Sequence, residues 1–167
     1  FERLAVRLSE ALHMRYCLIS ELLPGTPERV RSIAYAIDGI VTSDVEYELV
    51  GTPCEEVVAK GLCVYPTGVQ TLFPADAALA EMSVDSYLGI ALRSSTGETM
   101  GLLSVLGSEP LRADDYAAAL IEHFAGRASA ELDRLRLDRQ RLASQRQYRQ
   151  LFENMPAGFA VLAAEPS

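Results

Sequence analysis

The chain has 167 residues, 49% of them apolar and 23% charged, with a formal net charge of −8; that is enough chain for one buried core plus an appendage, and too apolar for a disordered one. The charge is uneven: residues 1–126 carry 18 acidic and 8 basic side chains, a net of −10, whereas residues 127–149 carry 7 Arg and 3 acids, a net of +4. An acidic head offers phosphates no basic face, so nucleic acid is not an expected partner.

Phe1, Leu4, Ala5, Leu8, Ala11 and Leu12 recur at helical spacing between charged residues and predict an amphipathic opening helix. Tyr16–Leu23 reads as a strand, Pro24-Gly25-Thr26-Pro27 as a turn, and Val30–Ile37 as a second strand whose mixed faces suit a position near the sheet edge. Asp38–Val50 is acidic and has no clean period, so it reads as an irregular excursion. Thr52, Pro53, Glu55 and Glu56 open a helix, with Thr52 as cap, Pro53 at the first position and two acids in the positively polarised first turn. Gly61 closes that helix, Leu62–Tyr65 is a short strand, Pro66–Pro74 a loop, and Asp76 starts a short helix to about Met82.

Two apolar runs come next, Tyr87–Leu92 and Met100–Leu106, joined by the polar connector Ser94–Glu98, and together they predict a β-hairpin. Neither run alternates, which places both faces under cover and the hairpin in the middle of a sheet. Gly89 and Gly101 thin these strands, leaving room for another backbone, for a ligand, or for a loosely packed bend. From Ala113 a long helix begins, with Asp114 and Asp115 at its positive end. Ile121, Ala128, Leu135 and Leu142 stand seven apart with Leu132 between them, a coiled-coil-like stripe in which Arg139 and Arg146 take later core positions.

The run Phe73-Pro74-Ala75-Asp76, then Ser86-Tyr87-Leu88-Gly89-Ile90-Ala91-Leu92, the Gly97 turn, Gly101-Leu102-Leu103 and Pro110 resembles the back half of a GAF domain, a sensory module of signalling proteins. Further on, Tyr148-Arg149-Gln150-Leu151-Phe152-Glu153-Asn154-Met155-Pro156-Ala157-Gly158-Phe159 resembles the opening of a PAS domain, a second sensory module. The expected layout is a GAF sensor at 1–126, a helical linker at 127–147 and the truncated start of a PAS domain at 148–167. The fold implied is α+β: a mainly antiparallel sheet of five or six strands, helices on both faces, and a long C-terminal helix. By the resemblance, downstream PAS and output modules would come after it in the same chain, the output a diguanylate cyclase of the GGDEF type or a histidine kinase, in a bacterial multidomain protein.

The family binds ligands over the sheet, under the irregular excursion and the short helices; the resemblance implies a pocket wall drawn from Tyr65, Thr67, Phe73, Ser86 and Tyr87, unless these rings only fill the core. Cys54, at a helix N-terminus, is the candidate redox thiol, although Glu55 and Glu56 beside it oppose a thiolate. Bilin-binding members attach the pigment to a Cys followed by His; here Cys17, Cys54 and Cys63 precede Leu18, Glu55 and Val64, so a covalent bilin is not expected, and no cofactor is named. The cyclic-nucleotide motif of the family, Asn-Lys…Phe…Asp-Glu, is not found. Three Cys without a C-x-x-C pair and two His make neither a disulfide framework nor a metal set, and fit a reducing cytoplasm.

No apolar run reaches the roughly 20 residues that span a bilayer, no signal peptide opens the chain, and membrane insertion is not expected. A chain beginning at Phe1 reads as a piece of something longer. The expected function is a regulatory sensor or dimerisation domain without catalysis, acting as a parallel homodimer through Ile121, Ala128, Leu132, Leu135 and Leu142. Two alternatives remain: a GAF-fold reductase of free methionine sulfoxide using Cys, and a dimerisation scaffold without ligand.

Overall fold

A computed structural model describes residues 1–112 and 114–153. Its centre is an antiparallel sheet of seven strands in the order β3-β2-β1-β7-β6-β5, with β4 also pairing with β2. The strands are β1 (Tyr16–Leu23), β2 (Thr26–Ile37), β3 (Ile40–Thr42), β4 (Glu46–Glu48), β5 (Leu62–Tyr65), β6 (Ser86–Arg93) and β7 (Thr99–Gly107). The helices are α1 (Glu2–Leu12), α2 (Pro53–Lys60), the short α3 (Val69–Leu72) and α4 (Ala77–Glu81), and α5 (Asp115–Glu153).

Period-two alternation sorts the apolar side chains onto two faces, and each face has its own core. On one face Cys17, Ile19, Leu88, Leu92, Leu103 and Val105 pack against Ala5 and Leu8 of α1 and against Ala117, Ile121, Ala125, Ala128 and Leu132 of α5. On the other Tyr16, Leu18, Tyr87, Ala91, Leu102 and Leu106 pack against Cys54 and Val57 of α2, Val69 of α3 and Leu79 of α4. The unalternated runs of β6 and β7 therefore have the cause expected of them: both faces are dry. One bulge adjusts the pattern, since Leu92 pairs with Gly101 but Arg93 with Thr99, and the extra residue Met100 joins the same face as Leu103.

Four expectations need correcting. The segment 38–50 is not irregular: β3 and β4 both pair with β2, and Ser32 closes the gap between them by donating its N–H to the Val45 carbonyl while its Oγ accepts the Val45 N–H, each at 2.8 Å. The sheet accordingly has seven strands, not five or six. Thr52 stands at the N-cap of α2 but makes no side-chain cap; its hydroxyl donates to the Leu49 carbonyl at 2.7 Å instead. The loop 66–74 contains the single turn α3.

Two compact units divide the chain, residues 1–133 and 134–167. In the first, Asp114 caps α5 by accepting the Ala117 N–H at 3.0 Å. In the second, among the described residues, Leu137, Leu142, Tyr148 and Leu151 are exposed and Arg134 pairs with Asp138 one turn on. Most of the PAS-like stretch, from residue 154 onward, lies outside the described residues.

Candidate functional site

The site builds up from a local conflict on β6. Tyr87 and Gly89 point to the same face, two residues apart, and the Tyr87 ring lies back over Gly89: a Cβ placed on Gly89 would sit 2.4 Å from Tyr87 Oη and 2.8 Å from two ring carbons. Only a residue without a side chain leaves the ring this place. Laid down there, the phenol oxygen reaches Cys54 Sγ at 3.2 Å, and the same sulfur is 3.6 Å from the hydroxyl of Tyr47 on β4. The excursion, the first turn of α2 and the central hairpin thus meet in one buried thiol between two phenols.

The surroundings keep all three groups neutral. Burial pushes the Cys54 thiol above its ordinary value, against the opposing pull of hydrogen bonds from Tyr87 and Tyr47. Burial likewise holds Tyr47 and Tyr87 well above the usual phenol range, and the neighbouring Cys54 adds to the shift in both, while Ser20 beside Tyr47 pulls the other way. Burial is the largest influence on this thiol, and it disfavours the thiolate. Cys63, on the same face of β5, and Cys17, on the opposite face, are also buried and raised by desolvation. As a redox thiol Cys54 is therefore placed against its task.

Of the five residues expected to wall a pocket, the structure brings three together. Tyr65 and Phe73 meet edge to face at 5.2 Å, and Tyr65 stands 6.1 Å from Tyr87. Tyr65 donates its hydroxyl to Glu56 Oε2 at 2.8 Å, and Lys60 shares that carboxylate, so the rim carries a closed ion pair. The Lys60 and Tyr65 bonds lower the Glu56 pKa.

Thr67 is not part of this group: it is exposed and donates to Asp85 Oδ2 at 2.6 Å, with the Gly68 N–H on the other carboxylate oxygen at 3.0 Å. Ser86 is not either. It neighbours Tyr87 in sequence and so faces the opposite side of the sheet, where its Oγ donates to the Glu109 carbonyl at 2.6 Å and fastens the turn after β7.

The cluster also contains residues that the sequence pattern did not single out. Tyr47 is one; Ser20 and Ser104 are two more. Both serines are buried on this face; Ser104 Oγ has no hydrogen-bond partner among the described residues, and Ser20 stands beside the Tyr47 hydroxyl. A hydroxyl at an inward-facing position of an otherwise apolar strand was the available signal for Ser104, between Leu102 and Leu106.

An open cleft of about 820 Å³ lies elsewhere, between the end of α1, the Asp38–Gly39 turn and the stretch after β7. Arg15, Arg112 and His13 share it with Glu10, Asp38 and Glu109, and Arg15 is already paired with Asp38 at 3.3 Å. Its mixed charge selects no ligand class, whereas the Tyr87 cluster is chemically specific. The Tyr87 cluster is the better candidate for that reason.

The arrangement of sheet, paired cores and β6–β7 hairpin agrees with the comparisons: the GAF domain family matches residues 1–132. The chain belongs to the GAF domain family. Among solved structures, the GAF domain of PixJ from Thermosynechococcus elongatus, in its blue-light absorbing form, is 20% identical, with a TM-score of 0.63, covering 88% of this chain and 90% of that one. The GAF domain of the phosphoenolpyruvate-protein phosphotransferase from Acinetobacter is 14% identical with a TM-score of 0.63, covering 83% of each. The chromophore-binding domain of Stigmatella aurantiaca phytochrome P1 is 14% identical with a TM-score of 0.60, covering 77% of this chain. This chain spans 52% of that phytochrome domain, about half its length. At these identities the likeness is one of fold. Comparison with curated proteins finds no match.

α5 carries the remaining expected residues. Ile121, Ala128 and Leu132 are fully buried in the core of residues 1–133, so they are not left for a partner chain. Leu135 is half-buried and Leu142 is 54% exposed. The tip of the β6–β7 hairpin explains why the GAF core holds α5 this far along: Arg93 N–H donates to Ser129 Oγ at 3.2 Å and Ser95 N–H to Asp133 Oδ2 at 3.0 Å.

Proposed function

We propose that this GAF domain is a regulatory sensor: a small molecule bound on the Tyr87 face of the sheet alters the hold of the β6–β7 hairpin on α5, and α5 passes the change to modules further along a signalling protein. The observation that carries this reading is the double role of β6. At one end it bears Tyr87 in the buried thiol–phenol cluster, and at the other its hairpin makes hydrogen bonds to Ser129 and Asp133 of α5. A displacement at Tyr87 has a short, stiff path to the helix, along a strand paired on both sides.

The receiving modules in this reading are a PAS domain and an output domain, a diguanylate cyclase or a histidine kinase, in a cytoplasmic bacterial protein. The domain works as a parallel homodimer along α5, with Leu135 and Leu142 as the contacts, since Leu132 is committed to the core. Among the described residues no helix is long and apolar enough to cross a membrane. The domain itself is not a catalyst in this reading. A thiol-based reductase needs a thiolate, and the raised pKa of Cys54 and Cys63 disfavours one.

Native mass spectrometry of protein purified under mild conditions, followed by hydrogen exchange with any ligand it reveals, tests the proposal. Binding is expected to change exchange both around Tyr87 and in Ser94–Glu98 with residues 125–133 of α5. Protection around Tyr87 with no change in the hairpin tip or α5 would refute the relay.

A further inference from the structure

The sheet face that holds the cluster shows what kind of ligand it fits. Gly89 pairs across the ladder with Ser104 of β7. The Tyr87 ring therefore lies at the spot where a side chain of residue 89 would stand beside Ser104. Ser104 is 1% exposed and its Oγ has no hydrogen-bond partner among the described residues. Ser20 is close by in the same layer: Leu18 pairs with Ser104 and Ser20 with Leu102, and the buried Ser20 hydroxyl stands beside Tyr47.

The orphan Ser104 hydroxyl is costly to keep, because a buried donor without an acceptor has lost its water for nothing. An Ala at that position would remove the cost. The Tyr87 hydroxyl does not relieve it, being turned toward Cys54 Sγ, and a thiol is a weak partner. The ring is thus packed into a place whose polar groups it leaves partly unused.

We propose that the Tyr87 ring is a stand-in, occupying the place of an uncharged planar ring that bears one hydroxyl or carbonyl group; this ligand displaces Tyr87 from over Gly89 and bonds to Ser104 Oγ and Cys54 Sγ. The inference rests on the sensor reading and names the ligand class for that same face. Three observations carry it. The floor is Gly89, whose missing side chain lets a ring lie directly on the strand. The groups around the slot, Ser20, Ser104, Cys54 and Tyr47, are all uncharged and can both give and accept a hydrogen bond. Tyr65 and Phe73 stand half-buried at the rim, edge to face, where they can receive the displaced phenol or stack on the newcomer.

Charge selects further. Asp76, outside the slot, is close enough to act on both Cys54 and Tyr47, so an anion would be repelled. Asp76 stands at the N-cap of α4 without a side-chain cap, and burial raises its pKa. The Lys60 ammonium and the Glu56 carboxylate at the rim already answer each other. A ligand entering here leaves its charges outside or has none.

The test uses the whole chain with tyrosine rings isotopically labelled for NMR, the Tyr87 signal being assigned from Tyr87→Phe, and phenol, benzoate and benzylamine as probes. Phenol is expected to bind and to move the Tyr87 signal toward that of an exposed ring, while benzoate and benzylamine do not bind. Ser104→Ala should raise the thermal midpoint of the free protein and weaken phenol binding about fivefold, the worth of one neutral hydrogen bond. Tyr87→Phe, which drops the bond to Cys54, should tighten phenol binding.

Phenol binding that leaves the Tyr87 signal unchanged, or is untouched by Ser104→Ala, would overturn the displacement while leaving the face a ligand site. Preference for benzoate or benzylamine would overturn the ligand class. If no probe binds and Ser104→Ala lowers the thermal midpoint, the serine is structural and the stand-in reading fails; the sensor reading would then stand or fall on the native ligand alone.

Discussion

Gly101→Ala should be among the most damaging single substitutions in this domain. A Cβ built on Gly101 falls 2.0 Å from the Ser20 carbonyl oxygen, 3.0 Å from its carbon and 3.1 Å from Glu21 Cα, all backbone atoms of the neighbouring strand β1. Ordinary contact begins near 3.4 Å, so β1 and β7 would have to part by about 1.4 Å along that line. A ladder hydrogen bond of about 2.9 Å stretched by that much is no longer a bond. Losing two in a buried pair costs roughly 1–3 kcal/mol each, and the total of about 3 kcal/mol or more lies at the upper end of overpacking effects.

The control is Gly126→Ala on α5, where an added Cβ meets nothing within 4 Å. There the gain in helix propensity should stabilise by roughly 0.5–1 kcal/mol. Urea titrations followed by circular dichroism separate the two: the midpoint falls sharply for Gly101→Ala and rises for Gly126→Ala. A Gly101→Ala stability within about 1 kcal/mol of wild type would refute the reasoning, since the β1 backbone could then not be blocking that direction.

Asp85, whose pKa is lowered by bonds from Thr67 and the Gly68 N–H, contributes stability above its ordinary value of 3.8 that is lost as pH falls through the lowered value; Asp85→Asn should therefore destabilise at pH 7, with the difference vanishing toward pH 2 in thermal melts. Asp76, raised chiefly by burial, has the opposite sign: its ionisation costs stability as pH rises through the raised value, so Asp76→Asn, which removes that ionisation, should gain on wild type in thermal melts as pH rises toward 7. The three thiols, all buried, should resist a disulfide reagent at pH 7 in the native state and react fully in denaturant; rapid native labelling of Cys54 would restore its redox candidacy. Sedimentation should show a dimer that Leu135→Asp with Leu142→Asp converts to a monomer with an unchanged melting curve. A wild-type monomer at high concentration would count against pairing along α5.

The features legible in the sequence were those that depend on neighbours along the chain. The β6–β7 hairpin, α1 and α2 arise from local period and punctuation, and the unalternated runs imply helices on both faces. Tyr65, Phe73 and Tyr87 were legible as a group. Ser86 did not belong with them, and strict alternation next to Tyr87 carries that information. The strands β3 and β4 were hidden for a different reason: each is three residues long, and what orders them is pairing with β2 and the reach of Tyr47 to Cys54, none of which leaves a period in the sequence.

Leu132 shows where a helical repeat alone misleads. The spacing 121, 128, 135, 142 with 132 between is equally a coiled-coil seam and one face of a helix lying on a sheet, and the two differ only in how far the sheet extends beneath it. The hairpin tip settles this by reaching Ser129 and Asp133, so the core claims Leu132. Leu132 and Asp133 are therefore engaged within residues 1–133, which leaves Leu135 and Leu142 as the contacts of the proposed dimer. Arg139 and Arg146, at the next positions of the same stripe, would keep that proposed pairing weak.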